Sequence, residues 1–285
     1  MGTKNISNLV KDIERVVEDG GGWNETVSKF TADGFRDIFD TRLSGEREEH
    51  KPNLRLSALG TACERKLWYS INDPDDREAL PPSARLKFLY GDLLEQLLLS
   101  LAIAAGHDVQ GMQDTLSVGG IKGHRDAVID GITVDVKSAS PFGYKKFAQG
   151  GLRDDDPFGY ISQLSSYVYA GRDSDVESHP TLGAFLVIDK VSGKICLDMY
   201  DFGPEIDTKL DDVEHIKQMV RGEIPDRSFE PEPMGKAGNM KLPMQCSYCD
   251  RKWKCWDNLR AFAYSYGPAY LTTVVEEPRV PEIKL

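Results

Sequence analysis

Asp126, Asp135 and Lys137 have the residue types and spacing for phosphate chemistry around a divalent cation. Between the two acids, Asp130-Gly131 suits a two-residue type I′ turn, which needs positive φ at both central positions. Counting outward from that turn, Ile129 faces Ile132, Val128 faces Thr133, Ala127 faces Val134, and Asp126 faces Asp135. Directly opposed carboxylates have Cβ atoms about 5 Å apart and repel unless something positive lies between them. Magnesium or manganese, which take hard oxygen ligands, would meet that need. A period of two then puts Lys137 on the same face, opposite His124, while Val134 and Val136 turn toward a core. A lysine there could polarise water, or help deprotonate it, next to a phosphate. The hairpin alone is equally compatible with a solvated polar face carrying a cross-strand ion pair.

A second set of ligands is soft. Cys246, Cys249 and Cys255 form a C-x2-C-x5-C run, and a tetrathiolate site needs a fourth sulfur, for which Cys63 is the natural candidate. Cys196 fits neither half and reads as a buried free thiol in a strand. Five cysteines are too few and too clustered for a disulfide scaffold in a chain of 285 residues.

These groups need a scaffold. Residues 1 to 50 read as an N-terminal arm, with helices around Ile6 to Val17 and Val27 to Phe39 broken at Gly20-Gly21-Gly22. From Ala84 to Ala105, Leu86, Leu89, Leu93, Leu97 and Leu101 recur at helical spacing, predicting a long helix with a packed leucine stripe. Then QDTLSVGG, KGHRDAVID and ITVDVKSAS predict a three-stranded antiparallel meander. A helix over Gly159 to Ala170, two strands around Ser192-Gly193 and an amphipathic helix from Ile206 to Val220 complete an α/β order. Residues 223 to 243 read as a connector. The expected segments are 1–50 (helical arm), 51–222 (core, with the first cysteine) and 223–285 (connector, cysteine cluster and tail).

Composition sets bounds on partners. Thirty-five basic against 46 acidic residues give a net charge of −11, which excludes a uniformly basic nucleic-acid coat but not a local basic groove. No apolar run reaches the ~20 residues of a membrane span. The N-terminus lacks a signal core, and Ser7 stands one place too late for myristoylation, so a cytoplasmic protein is expected.

Gly123-x-x-Asp126 followed by Asp135-Val136-Lys137 resembles motifs of the PD-(D/E)XK nucleases. The similarity is to the RecB-like branch, with CRISPR-adaptation nucleases, viral recombination exonucleases and AddAB-type nuclease domains. It covers roughly residues 54 to 260. Gly91-x-x-x-Glu95 supplies the acid on the preceding helix, where many members carry His, and Gln163-x-x-x-Tyr167 supplies the pair on the following one. The lone Cys63 in SALGTACERKLWY and the later C-x2-C-x5-C resemble the branch's four-iron, four-sulfur arrangement; structural zinc on the same ligands is the alternative. Arg65, Lys66, Arg251, Lys252 and Lys254 would balance such a cluster, and Trp68, Trp253 and Trp256 would restrict water.

The resemblance implies a restriction-endonuclease-like core, a mixed sheet flanked by helices. Glu95, Asp126, Asp135 and the Val136 carbonyl would hold one or two magnesium or manganese ions. Lys137 would stabilise developing charge, and Gln163 with Tyr167 would position the strand. Arg85, Lys87, Lys145 and Lys146, with Lys190 as a lesser contact, would meet the phosphates. The implied activity is DNA exonucleolysis in recombination, repair or phage DNA processing, on single- or double-stranded DNA. The alternatives are a structure-specific or restriction-like endonuclease, or a non-catalytic DNA-binding or assembly protein. A homo-oligomer or a recombination or replication partner fits the same resemblance, as does a viral source, which would place the protein in the bacterial host cytoplasm.

Overall fold

The computed structural model describes residues 4–44, 52–75 and 78–283. The helices are α1 (Leu9–Asp19), α2 (Glu25–Leu43), α3 (Glu64–Asn72), α4 (Pro82–Ala104), α5 (Pro141–Ala148), α6 (Tyr160–Gly171), α7 (Lys209–Met219), α8 (Met244–Ser247) and α9 (Lys252–Cys255). The strands are β1 (Val109–Gln110), β2 (Thr115–Val118), β3 (Ile121–His124), β4 (Ala127–Ile129), β5 (Ile132–Ala139), β6 (Leu182–Asp189), β7 (Ile195–Asp201), β8 (Glu232–Met234), β9 (Asn239–Lys241), β10 (Arg260–Tyr264), β11 (Gly267–Thr273) and β12 (Glu282–Ile283). They form two compact units, the first within Met1–Lys51, Arg55–Gly60 and Pro81–Glu214, the second within Pro52–Leu54, Thr61–Leu80 and His215–Leu285.

The first unit is mixed α/β. Its five-stranded sheet runs β1-β4-β5-β6-β7, with β5 and β6 parallel and the other neighbours antiparallel. Alternation along β6 sends Ala184, Leu186 and Ile188 to one face, where they meet Leu9 and Ile13 of α1 and Leu98, Leu99 and Ala102 of α4. Phe185 and Val187 go to the other face, against Phe147 of α5 and Leu164 and Val168 of α6. Helices on both faces explain why β6 is apolar almost throughout.

Helix ends follow local chemistry. The Asn24 side chain accepts from the Val27 N–H, and Ser140 accepts from the Gly143 N–H. Gly20 closes α1 in the left-handed conformation.

The expected hairpin register is present: Ala127 pairs with Val134, Val128 with Thr133 and Ile129 with Ile132. Asp130 and Gly131 both have positive φ, 50° and 80°. Three expectations need correction. The meander has four strands, because KGHRDAVID breaks at Arg125-Asp126 into β3 and β4. β3 leaves the main sheet and pairs with β2, so His124 faces Thr115 rather than Lys137, whose partner is Val187. The leucine stripe is also misplaced. Leu86 is 58% exposed, and the buried α4 residues are Leu98, Leu99, Ser100, Ala102 and Ala104. That end of α4 packs against α1 and α2 as well as the sheet and is therefore apolar nearly all round.

The domain boundaries are corrected as well. The N-terminal helices are not a separate arm, since Ile6, Leu9 and Ile13 belong to the main core. Cys63 falls in the second unit with the other cluster cysteines.

The second unit carries an all-antiparallel sheet in the order β12-β10-β11-β9-β8, around Phe262, Ala269 and Leu271. Part of the expected connector is thus β8 and β9. These three-residue strands, one containing Pro233, are too short to show a period.

Candidate active site and cysteine cluster

The β4 ladder ends at the Ala127–Val134 pair, while β5 continues to Ala139. On that side the Val136 N–H is left without a strand carbonyl, and the Asp126 carboxylate accepts it at 2.7 Å. One hydrogen bond therefore satisfies the exposed strand edge and fixes Asp126 beside Asp135. Upstream, Arg125 is fully buried, donating to Asp114 at 2.8 Å, to the Gly111 carbonyl at 3.2 Å and to Glu177. This anchoring diverts the chain between β3 and β4.

Asp135, only 3% exposed, forms an ion pair with Lys137 two residues on. Its Oδ2 meets the ammonium but has no partner in hydrogen-bond geometry. Glu95, on α4, accepts from Gln113 at 2.8 Å. Burial, then repulsion from Asp135 and Asp92, pushes the Glu95 carboxyl up to about 7. Burial followed by Asp135 and Glu95 holds Asp126 well above the usual carboxylate range. Burial alone would lower the Lys137 pKa, but Asp135 and Asp126 outweigh it and raise it. The ammonium thus stays charged and is poorly suited to deprotonating water.

The helix over this sheet face completes the cluster. Gln163 and Tyr167 share a face of α6, and the Gln163 side chain partly offsets the upward push on the Tyr167 hydroxyl. Burial and the two aspartates push that hydroxyl up to about 12. A Cβ at Gly123 would lie 2.7 Å from the Leu56 Cβ and 3.1 Å from the Tyr167 hydroxyl. The glycine of Gly123-x-x-Asp126 therefore leaves room for Tyr167. Two contributors were missed from sequence, Gln113 on Glu95 and Tyr160, whose ring lies 5.2 Å from the Lys137 Nζ. Tyr160, Gln163 and Tyr167 follow i, i+3, i+7 spacing, a signal that could have found the second.

The proposed basic contacts vary in setting. Lys87, Lys145 and Lys190 are exposed, whereas Lys146 pairs with Asp155.

In the second unit, Cys63 is the residue before α3, Cys246 lies in α8, Cys249 follows it, and Cys255 ends α9. Burial, then neighbouring Cys249, Cys63 and Cys255, pushes the Cys246 thiol up to about 12, so Cys246 lies near the other three cysteines. Cys249 accepts from the Arg251 N–H at 3.4 Å. Among the described residues, no three acidic, imidazole or thiol groups stand in ready-made metal-ligating geometry.

The basic residues here have other partners than expected. Arg251 donates to the Asp73 and Pro74 carbonyls at 2.6 and 3.0 Å, Lys252 pairs with Glu78, and Lys254 with Asp73. They fasten the segment after α3 to the C-x2-C-x5-C loop. Trp256 is buried, while Trp68 donates to the Gly222 carbonyl at 2.9 Å. Cys196, on β7, is half-buried rather than buried, and burial pushes its thiol up to about 11.

No protein-family model and no curated protein matches the chain. Among solved structures, the crystal structure of SSO0001 is similar at 17% identity and a TM-score of 0.39, covering 78% of this chain and 93% of that one. No helix among the described residues is long and apolar enough to cross a membrane.

Proposed function

We propose that the protein is a metal-dependent deoxyribonuclease of the PD-(D/E)XK type, with an exonuclease the favoured form. The observation that carries this reading is the convergence of half-buried Glu95 and Asp126 with buried Asp135, beside one paired lysine. Three carboxylates in low dielectric are unfavourable together unless a cation compensates them, and such perturbed groups concentrate at functional sites. The buried Asp135 carboxylate and the all-oxygen donor set suit magnesium or manganese. Glu95, Asp126, Asp135 and the Val136 carbonyl would hold the metal, which when bound would polarise water and phosphate.

The chain's own groups do the rest. Asp126 keeps its carboxylate fixed through the Val136 N–H. Lys137, steered by Asp135 and Tyr160, offers a positive charge to the phosphate as negative charge develops. Gln163 and Tyr167 orient the strand from α6.

In the second unit, four soft sulfur donors suit a four-iron, four-sulfur cluster that fastens residues 61–80 to 215–285. Zinc would occupy the same ligands as a structural ion.

The test is digestion of end-labelled linear DNA and covalently closed circles with magnesium or manganese, and with chelator. Metal-dependent loss of the end label, with circles spared, is expected. Cleaved circles would assign an endonuclease, and no cleavage of either would overturn the reading.

A further inference from the structure

We infer that Phe158 is a stacking platform for an unpaired base next to the scissile phosphate, so that the site takes single-stranded or frayed DNA. This rests on the nuclease reading and names its substrate form. Phe158 is 49% exposed and lies in the turn leading into α6. Its ring centroid is 5.6 Å from that of Tyr160, whose ring in turn lies 5.2 Å from the Lys137 Nζ. On the inner side Tyr160 contacts Phe147 and Phe185 at 5.9 and 6.4 Å. An aromatic series thus runs from the core, past the lysine, to an open face.

The turn that presents this face is fixed. Asp156 accepts from the Tyr160 and Ile161 N–H groups at 3.0 and 2.8 Å. Gly159 has φ of 71°, and a Cβ on it would lie 1.6 Å from the Gly60 carbonyl oxygen. Only glycine permits that approach, so Phe158 is held outward by backbone that cannot relax far. A half-exposed phenylalanine on such a turn offers a ring face from backbone that is already ordered before binding.

The chemistry points to an unpaired base. A phosphate at Lys137 would leave a base roughly one or two nucleotides along within reach of Phe158. In a duplex both faces of an internal base are already stacked; an unpaired base offers a free π-face. The chain's net charge of −11 weakens long-range attraction for DNA, which leaves stacking a larger share of affinity. Acids flanking the ring are themselves engaged, Asp155 with Lys146 and Asp156 with the helix end.

The experiment compares wild type, Phe158→Ala and Phe158→Trp, each as the full chain. Fluorescence anisotropy is read with a labelled dT oligonucleotide and a blunt duplex, in chelator so that nothing is cut. Loss of one stacked base costs Phe158→Ala about tenfold or more on the oligonucleotide. Duplex affinity should stay within about twofold, and Phe158→Trp should bind the oligonucleotide as wild type does. Equal losses on both substrates, no loss on either, or a Trp variant as weak as Ala would overturn the inference. Because the readout needs no metal or turnover, it is separable from the nuclease reading: a wild type that cuts DNA while Phe158→Ala binds normally refutes stacking alone.

Discussion

Arg125 and Glu177, far apart in sequence, form an ion pair with both side chains withdrawn from solvent. Glu177 also accepts from Thr133 on β5 at 2.9 Å, so the pair ties the β3–β4 break to the central sheet. Removing one partner of such a pair leaves an uncompensated buried charge. Arg125→Met should therefore lower unfolding free energy by about 3–5 kcal/mol, read by urea titration. Arg125→Met with Glu177→Leu should recover much of that loss. A single variant within about 1 kcal/mol of wild type would show that the pair does not hold this junction.

Asp135→Ala and Lys137→Ala should each reduce metal-dependent cleavage about a hundredfold or more while the protein remains folded. Initial rates on end-labelled DNA, with circular dichroism to verify folding, provide the check. Near-normal turnover by either variant would remove this cluster from the chemistry.

Glu95→His should retain part of the activity, because imidazole can occupy the same coordination position on the helix, whereas Glu95→Ala should not. Equal inactivity of the two folded variants would mean that an anion is required there.

Cys63→Ser should lower both metal content and melting temperature, although 182 residues separate Cys63 from Cys246. The entropy of closing so long a loop grows only logarithmically with length, so metal–thiolate bonds can offset it. Cys196→Ser, on β7, should change neither quantity. Protein purified without oxygen should contain iron and acid-labile sulfide. Stoichiometric zinc after iron-replete, anaerobic expression would replace the iron–sulfur assignment.

The β4–β5 hairpin was legible because its turn needs positive φ, which Asp-Gly supplies, and its valines alternate with period two. The break at Arg125-Asp126 was not, since it depends on Glu177 and Asp114, which no local pattern connects to Arg125. The buried face of α4 escaped for a related reason: three neighbours surround its second half, so the leucine spacing no longer marks one side. In the site, residue types announced the carboxylates and the lysine. The bond from the Val136 N–H to Asp126 arises only from where a ladder stops, and that is a property of the assembled sheet.

The interleaved division of the chain bears on its synthesis. Residues 61–80 leave the ribosome early, before most of the first unit, yet their partners are residues 215–285. The central sheet and its helices can close once Glu214 has emerged. Cys63 and α3 must wait until residues 215–255 have been made, so that any iron or zinc held by the four cysteines would be bound after the first unit can close.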